Sequence, residues 1–169
     1  SGYGDGVKPD VVFNGNPVSH AVSMHAHAPK PFGSVAVFDL NGQFTRFTAR
    51  ACFANGPRQL KTRDRTTFRV FAAKNGEQLS DNTPHGGREL WSSPVTSSHA
   101  DVFDVDVDVT GATELMLFVD PVGDTKDMTT MWLDPQLHYS LQAPTGNVYL
   151  DDLDPLYYRV RKGFSLGRR

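Results

Sequence analysis

The segment Phe103–Val109 alternates apolar and acidic residues without a break, in the order Phe-Asp-Val-Asp-Val-Asp-Val. Successive side chains of a β-strand point to opposite faces of its sheet, so this segment predicts a strand with one buried face and one solvated face. After a Thr110-Gly111 turn, the segment Leu115–Val119 is apolar throughout, which is typical of a central strand. No stretch of helical length repeats its apolar residues with the 3.6-residue period of an α-helix.

Turn signals separate further short strands along the chain. Asn41-Gly42 and Asn75-Gly76 are residue pairs that favour tight hairpin turns, because Asn and Gly tolerate positive φ. In total, the sequence predicts about nine strands and little helix. The pattern therefore predicts an all-β fold, an antiparallel β-sandwich of jelly-roll-like topology. We expect a flexible N-terminal segment at 1–10, the sandwich at 11–141, and a linker and tail at 142–169 that dock on the sandwich or on a partner.

Composition and charge limit the classes of function. The chain has 17 basic and 19 acidic residues and a formal net charge of −2, so no overall positive field draws it to nucleic acid. No apolar run approaches the ~18 residues of a membrane span. The single cysteine, Cys52, cannot form an intrachain disulfide, and its place in an apolar strand predicts a buried, inert thiol. The first residues lack the pattern of a signal peptide, so we expect a mature form or an excised domain.

Several short motifs follow one another in order between residues 11 and 138. They are Phe13-Asn14-Gly15, His27-Ala28-Pro29, the set Gly42, Phe44, Phe47 and Ala49, then Phe68–Phe71, Leu90–Ser93, Val107–Gly111, Leu115–Leu117, and Asp127 with Trp132. In this order the chain resembles the NPCBM domain family, which is grouped with carbohydrate-binding module family 51. The resemblance implies a non-catalytic sandwich that binds a carbohydrate, with a galactose-type glycan as the candidate ligand. It also implies a larger exported protein that is extracellular, periplasmic or on the cell surface.

A sugar site of this kind combines an aromatic side chain, on which the C–H face of the ring packs, with a few polar groups. Trp91 flanks a long polar loop, whereas Trp132 lies among apolar residues and is more readily interpreted as part of the core. His25 stands where the family has glycine. We therefore expect ligand contacts from Trp91, Trp132, His25, Asn82, His85, Arg88 and Glu89.

Two groups of side chains are candidate metal ligands. Asp120, Asp124 and Asp127 lie on one loop and would suit a structural Ca²⁺, which prefers oxygen ligands; a solvated turn is the alternative. The histidine cluster, His20, His25 and His27, would suit a transition metal, because His25 and His27 share one face of a strand. That ligand set is incomplete, and His27-Ala28-Pro29 is better interpreted as the corner that begins the sandwich.

Three hypotheses about function follow. Carbohydrate binding comes first. The second is a protein-interaction or assembly domain on the same sandwich without sugar binding, with partner contacts from residues 143–169. The third is a metal-dependent enzyme that uses the histidine cluster. The chain contains no Gly-x-Ser-x-Gly motif, no convincing carboxylate pair and no phosphate-binding loop, so we expect a binding module rather than an enzyme.

Overall fold

The computed structural model describes residues 11–26, 33–54, 64–79, 87–123, 128–139, 147–150, 153, 157–159 and 165–166. Within these ranges the protein has thirteen strands and no α-helix. The strands are β1 (Val11–Phe13), β2 (Asn16–Val18), β3 (Ala21–Ala26), β4 (Ser34–Asp39), β5 (Phe44–Phe53), β6 (Arg65–Lys74), β7 (Arg88–Ser92), β8 (Val102–Asp108), β9 (Ala112–Val122), β10 (Met128–Tyr139), β11 (Asn147–Tyr149), β12 (Tyr157–Arg159) and β13 (Ser165–Leu166). The strands of five residues or more are β3–β10, and short terminal pairings raise the count above the nine expected.

Two antiparallel sheets form the sandwich, which confirms the predicted fold class. Sheet 1 has the strand order β13-β3-β10-β5-β8, with β11 also paired to β10. Sheet 2 has the order β12-β4-β9-β6-β7. The described residues include no helix that is long and apolar enough to cross a membrane.

The two lateral sides of the sandwich differ. On one side, β12 pairs with β4 and β13 pairs with β3, so backbone from the tail extends both sheets. On the other side, β7 and β8 are the last strands of their sheets and contact each other without pairing. The side between β7 and β8 is therefore where the space between the sheets can open to solvent.

The core lies between the sheets and is dominated by aromatic and aliphatic side chains. Trp132, Phe38, Phe47, Phe53 and Phe68 are among its largest fully buried members. The predicted alternation of β8 is confirmed, because Val105 and Val107 are buried while the intervening aspartates are exposed. Burial of each large apolar side chain contributes about 1.5–3 kcal/mol, which fixes this face of every strand toward the core.

The outer face of sheet 1 carries charged and polar residues on its β5–β8 side. Arg46, Thr48 and Arg50 of β5 stand opposite three aspartates of β8. Nearer β3 the same face is apolar, and Cys52 packs there with Phe13 of the β1–β2 hairpin. Cys52 has no exposed surface, and burial raises the pKa of its thiol to about 12. The predicted burial of this thiol is thereby confirmed.

Candidate functional site

A cleft of about 250 Å³ opens on the side of the sandwich between β7 and β8. Its floor is apolar and its rim is charged. The floor consists of Ala72, Leu90, Val109 and Ala112. The rim consists of Lys74, Glu77, Arg88, Asp108 and Thr110. We call this feature the β7–β8 cleft.

A β-bulge in β7 determines which of its side chains reach the cleft. Trp91 pairs with Val70 and Glu89 pairs with Phe71, so Leu90 between them has no partner on β6. An extra residue of this kind re-aims the side chains around it. Leu90 consequently packs against the core and lines the cleft. Arg88, at the beginning of the strand, is exposed and also lines the cleft. Glu89 lies instead beside Arg69, with Oε2 at 3.6 Å from Nε.

Two turns supply the remaining polar groups of the rim. The turn after β6 brings Glu77 back to Lys74, whose backbone N–H donates to Glu77 Oε2 at 2.8 Å. The turn after β8 places Thr110 against Asp108, and the Thr110 N–H donates to Asp108 Oδ1 at 2.7 Å. Both turns belong to the same end of the sandwich, which is why residues distant in sequence share one rim.

The charges of the rim face one another without closing into ion pairs. Hydrogen bonds from Thr110 hold the pKa of Asp108 below its usual range, and the nearby Lys74 and Arg88 cations lower it further. Asp108 is therefore ionised at neutral pH. In the part of the chain that the structure covers, no rim cation lies within 4.0 Å of a rim carboxylate. The cleft thus presents separated donors and acceptors over an apolar floor.

The two tryptophans lie behind the cleft. Trp132 has no exposed surface and packs edge-on against Phe68, with ring centroids 5.6 Å apart. The structure places it in the core, so the expected ligand contact from Trp132 is not available: a side chain enclosed on every side cannot touch a sugar. Trp91 is half-buried, and its ring lies 6.5 Å from that of Trp132. Leu90, and not Trp91, lines the cleft.

Of the other expected ligand residues, one is remote from the cleft and two lie outside the described residues. His25 lies on β3, where its Nε2 is 3.1 Å from Thr129 Oγ1. Three steps of the strand order separate β3 from β8, so His25 is remote from the cleft. Asn82 and His85 fall outside the described residues. Their loop begins and ends beside the cleft, because the described ends Leu79 and Gly87 are in contact next to Ala72.

Of the candidate metal ligands, the structure describes Asp120, His20 and His25. Asp120 lies near Arg69, with Oδ2 at 3.7 Å from Nη1, and Asp124 and Asp127 are outside the described residues. His20 precedes β3 and stacks on Tyr149 at 3.6 Å, while His25 is five residues further along the strand. That spacing corresponds to about 16 Å, so the structure does not bring His20 and His25 together. His27 is not described. Among the residues that are, no group of three or more His, Cys, Asp or Glu could hold a metal.

The sequence predicts Arg88 as a site residue but does not predict the four other members of the rim. Lys74 and Glu77 flank the Asn75-Gly76 turn, and Asp108 and Thr110 precede Gly111. Asp108 was one of three outward aspartates with no sign to set it apart. The feature that connects these four residues is that both turns follow strands that end at the same edge of the sandwich.

Solved structures with a similar fold come from Clostridium perfringens. The M60 catalytic domain with CBM51-1 and CBM51-2 of ZmpB matches at 21% identity, 75% of this chain, 12% of that chain and a TM-score of 0.53. CBM51-2 with the INT domains of ZmpB matches at 15% identity, 72% of this chain, 22% of that chain and a TM-score of 0.50. CBM51 from GH95 in complex with methyl-galactose matches at 21% identity, 73% of this chain, 74% of that chain and a TM-score of 0.49.

These likenesses show the fold alone, and the chain spans less than a quarter of the two ZmpB structures. A comparison with curated proteins found no match. The family model for the NPCBM/NEW2 domain matches residues 12–138, which is most of the chain. The chain therefore belongs to the NPCBM/NEW2 domain family, a family of carbohydrate-binding modules.

Proposed function

We propose that this protein is a non-catalytic carbohydrate-binding module that holds its ligand in the β7–β8 cleft. Family membership supports the ligand class. The single observation that carries the location is the cleft itself, where charges of both signs, without an ion pair to any described residue, surround an apolar floor. In the ZmpB structure, CBM51 domains accompany a catalytic domain, which supports the further proposal that this module serves a larger exported or cell-surface protein.

The chemistry of the rim suits a neutral sugar. Each sugar hydroxyl both donates and accepts a hydrogen bond, and Arg88 and Lys74 supply donors while Asp108 and Glu77 supply acceptors. The Thr110 hydroxyl can serve in either role. An apolar face of the ring would pack on Leu90 and Val109, since these side chains form the floor. Because the cleft is small and open, we expect weak affinity that rises when several copies of the ligand are presented together.

The test of this proposal has two steps. A glycan array identifies ligands, with galactose-type glycans as the first expectation, and calorimetry then measures the affinity of Arg88→Ala for the best of them. We expect a loss of about tenfold or more, because Arg88 would make charge-assisted hydrogen bonds. Arg46→Ala is the matched control, since Arg46 lies on the outer face of sheet 1 and is half-exposed. An array without ligands, or an Arg88→Ala affinity equal to that of the control, would overturn the proposal.

A further inference from the structure

A second concavity, of about 340 Å³, lies under the β1–β2 hairpin. The hairpin covers the apolar part of the outer face of sheet 1 and leaves this space against β5 and β10. Its apolar wall includes Phe13 and Pro17. Its polar lining includes Asn14, Asn16, Ser19, Arg50 and Asp134. We call it the hairpin pocket.

Two residues with left-handed backbone conformations line the hairpin pocket. Asn14 has φ 50° and Asp134 has φ 48°. For Asn14 the conformation is that of the tight Asn14-Gly15 turn, which asparagine favours. Asp134 is different, because it lies in an irregularity of β10, between Leu133 and Gln136, where the register with β5 shifts. Bulges and left-handed aspartates cost free energy and often direct a side chain toward a binding site.

The irregularity directs the Asp134 carboxylate to Arg50. Arg50 Nη2 donates to Asp134 Oδ2 at 2.6 Å, and this is a single hydrogen bond. Four residues earlier on the same strand, Arg46 binds Asp106 through two bonds, Nε to Oδ1 at 2.7 Å and Nη2 to Oδ2 at 2.6 Å. The Arg46 pair therefore uses both carboxylate oxygens, whereas the Arg50 pair leaves the other Arg50 N–H groups and Asp134 Oδ1 without a partner among the described residues.

We propose that the hairpin pocket binds one neutral sugar unit, independently of the β7–β8 cleft. Arg50 and Asp134 cancel in net charge, so an anion would face the carboxylate and a cation would face the guanidinium. Hydroxyl groups satisfy both, because each donates to Asp134 Oδ1 or accepts from Arg50. The volume lies in the range of small-ligand sites. This site goes beyond the proposed function and does not rest on it.

A second site would change how the module engages a surface. The β7–β8 cleft lies at the lateral edge of the sandwich, and the hairpin pocket lies on the outer face of sheet 1. Two weak sites on different faces can contact two sugar units of a dense glycan layer at once. Linking two such contacts raises the overall affinity without any new contact at either site.

The experiment is a titration of the full chain with methyl galactoside, methyl glucoside and methyl N-acetylglucosaminide, followed by backbone amide NMR. We expect at least one probe to shift the amides of Asn14, Asn16 and Arg50 and to saturate with its own dissociation constant. Asp134→Asn is the decisive variant, because asparagine tolerates positive φ and keeps the shape of the side chain. It removes one acceptor and the negative charge, so we expect affinity at this pocket to fall about tenfold.

The matched control is Asp106→Asn, which alters the two-bond ion pair on the same face of sheet 1. It should leave the shifts at the hairpin pocket unchanged. The proposal is overturned if no probe shifts these amides, or if Asp134→Asn and Asp106→Asn give equal affinities. Shifts at Arg88 and Thr110 report the β7–β8 cleft separately, so their absence would count against the proposed function alone.

Discussion

The β7–β8 cleft and the hairpin pocket both combine apolar surface with charges of two signs, but they hold those charges differently. In the cleft, Lys74, Arg88 and Asp108 stand apart, each placed by a turn or a strand end. In the hairpin pocket, Arg50 and Asp134 are already joined at 2.6 Å. The cleft therefore depends on the core residues packed behind it, because its rim charges do not position one another. The pocket depends on local backbone geometry.

The largest loss of stability should come from a substitution in the core residues behind the cleft. Trp91→Ala removes a half-buried ring that packs on Trp132, and we expect a loss of about 3 kcal/mol in the free energy of unfolding, measured by urea denaturation. Because Leu90 lines the cleft instead, the affinity of the folded variant should fall less than that of Arg88→Ala. Val95→Ala, at a side chain that is 47% exposed, is the control and should change stability little.

The opposite pattern would contradict this view of Trp91. If Trp91→Ala kept its stability and lost all affinity for the ligand, the ring would be a direct platform for the sugar. The cleft would then differ from the hairpin pocket by an aromatic contact with the ligand.

Substitution of two glycines should give the next largest losses of stability. One glycine lies beside the cleft and the other in the β1–β2 hairpin, and the reasons for the loss differ. A Cβ at Gly87, beside the cleft, would overlap Leu79 and lie 3.0 Å from the Ala72 carbonyl oxygen, so Gly87→Ala should cost about 2 kcal/mol. At Gly15, in the hairpin, a Cβ meets nothing within 4 Å, but φ is +79°. Gly15→Ala should therefore cost only about 1 kcal/mol, all of it backbone strain.

Asparagine separates the two causes. Gly15→Asn should recover most of the stability lost in Gly15→Ala, because asparagine adopts positive φ readily. Gly87→Asn should be no more stable than Gly87→Ala, since a longer side chain meets the same obstruction. Thermal unfolding of the four variants measures this. Recovery at both positions, or at neither, would show that the two glycines share one cause.

Local patterns were enough to predict much of the fold. The alternation in β8 follows from burial of one face, and Asn41-Gly42 forms a turn in which both residues have positive φ. These features depend on neighbouring residues alone. The distance between His20 and His25 is less evident from the sequence, because it becomes clear only when β3 is known to include the four residues between them.

The candidate sites depend on pairings between distant segments, which no single stretch of sequence reveals. The cleft exists because β7 and β8 end different sheets on the same side, and this depends on the complete strand order. Asp134 reaches Arg50 only through an irregularity in β10, and Leu90 reaches the cleft only through a bulge in β7. Such shifts of register arise from cross-strand packing, so Arg88 could be suggested from its loop while Asp134 could not.

The smallest expected effect is a change in the pKa of Asp108. It tests whether hydrogen bonds or neighbouring charges lower that pKa. The largest cause of the lowered pKa of Asp108 is the Thr110 hydroxyl, ahead of the Thr110 backbone N–H and the two cations. Thr110→Val should therefore raise the pKa of Asp108 toward its ordinary value of 3.8, as measured by NMR titration of the carboxylate carbon. Thr113→Val is the control, since the Thr113 hydroxyl donates to the Ala73 carbonyl instead.

The sign of the pH dependence follows from the direction of this shift. A pKa that is lower in the folded than in the unfolded state stabilises the fold above the ordinary value, and the contribution disappears as pH falls through the lowered value. Thr110→Val should narrow the pH range over which the contribution disappears, and the stability that it removes should be lost at neutral pH, where the loss should be smaller than for any other variant at the cleft. A pKa of Asp108 that did not move would mean that the Thr110 backbone N–H, which valine keeps, and the Lys74 and Arg88 cations control the carboxylate. The Thr110 hydroxyl would then have no part in holding the charge of the rim.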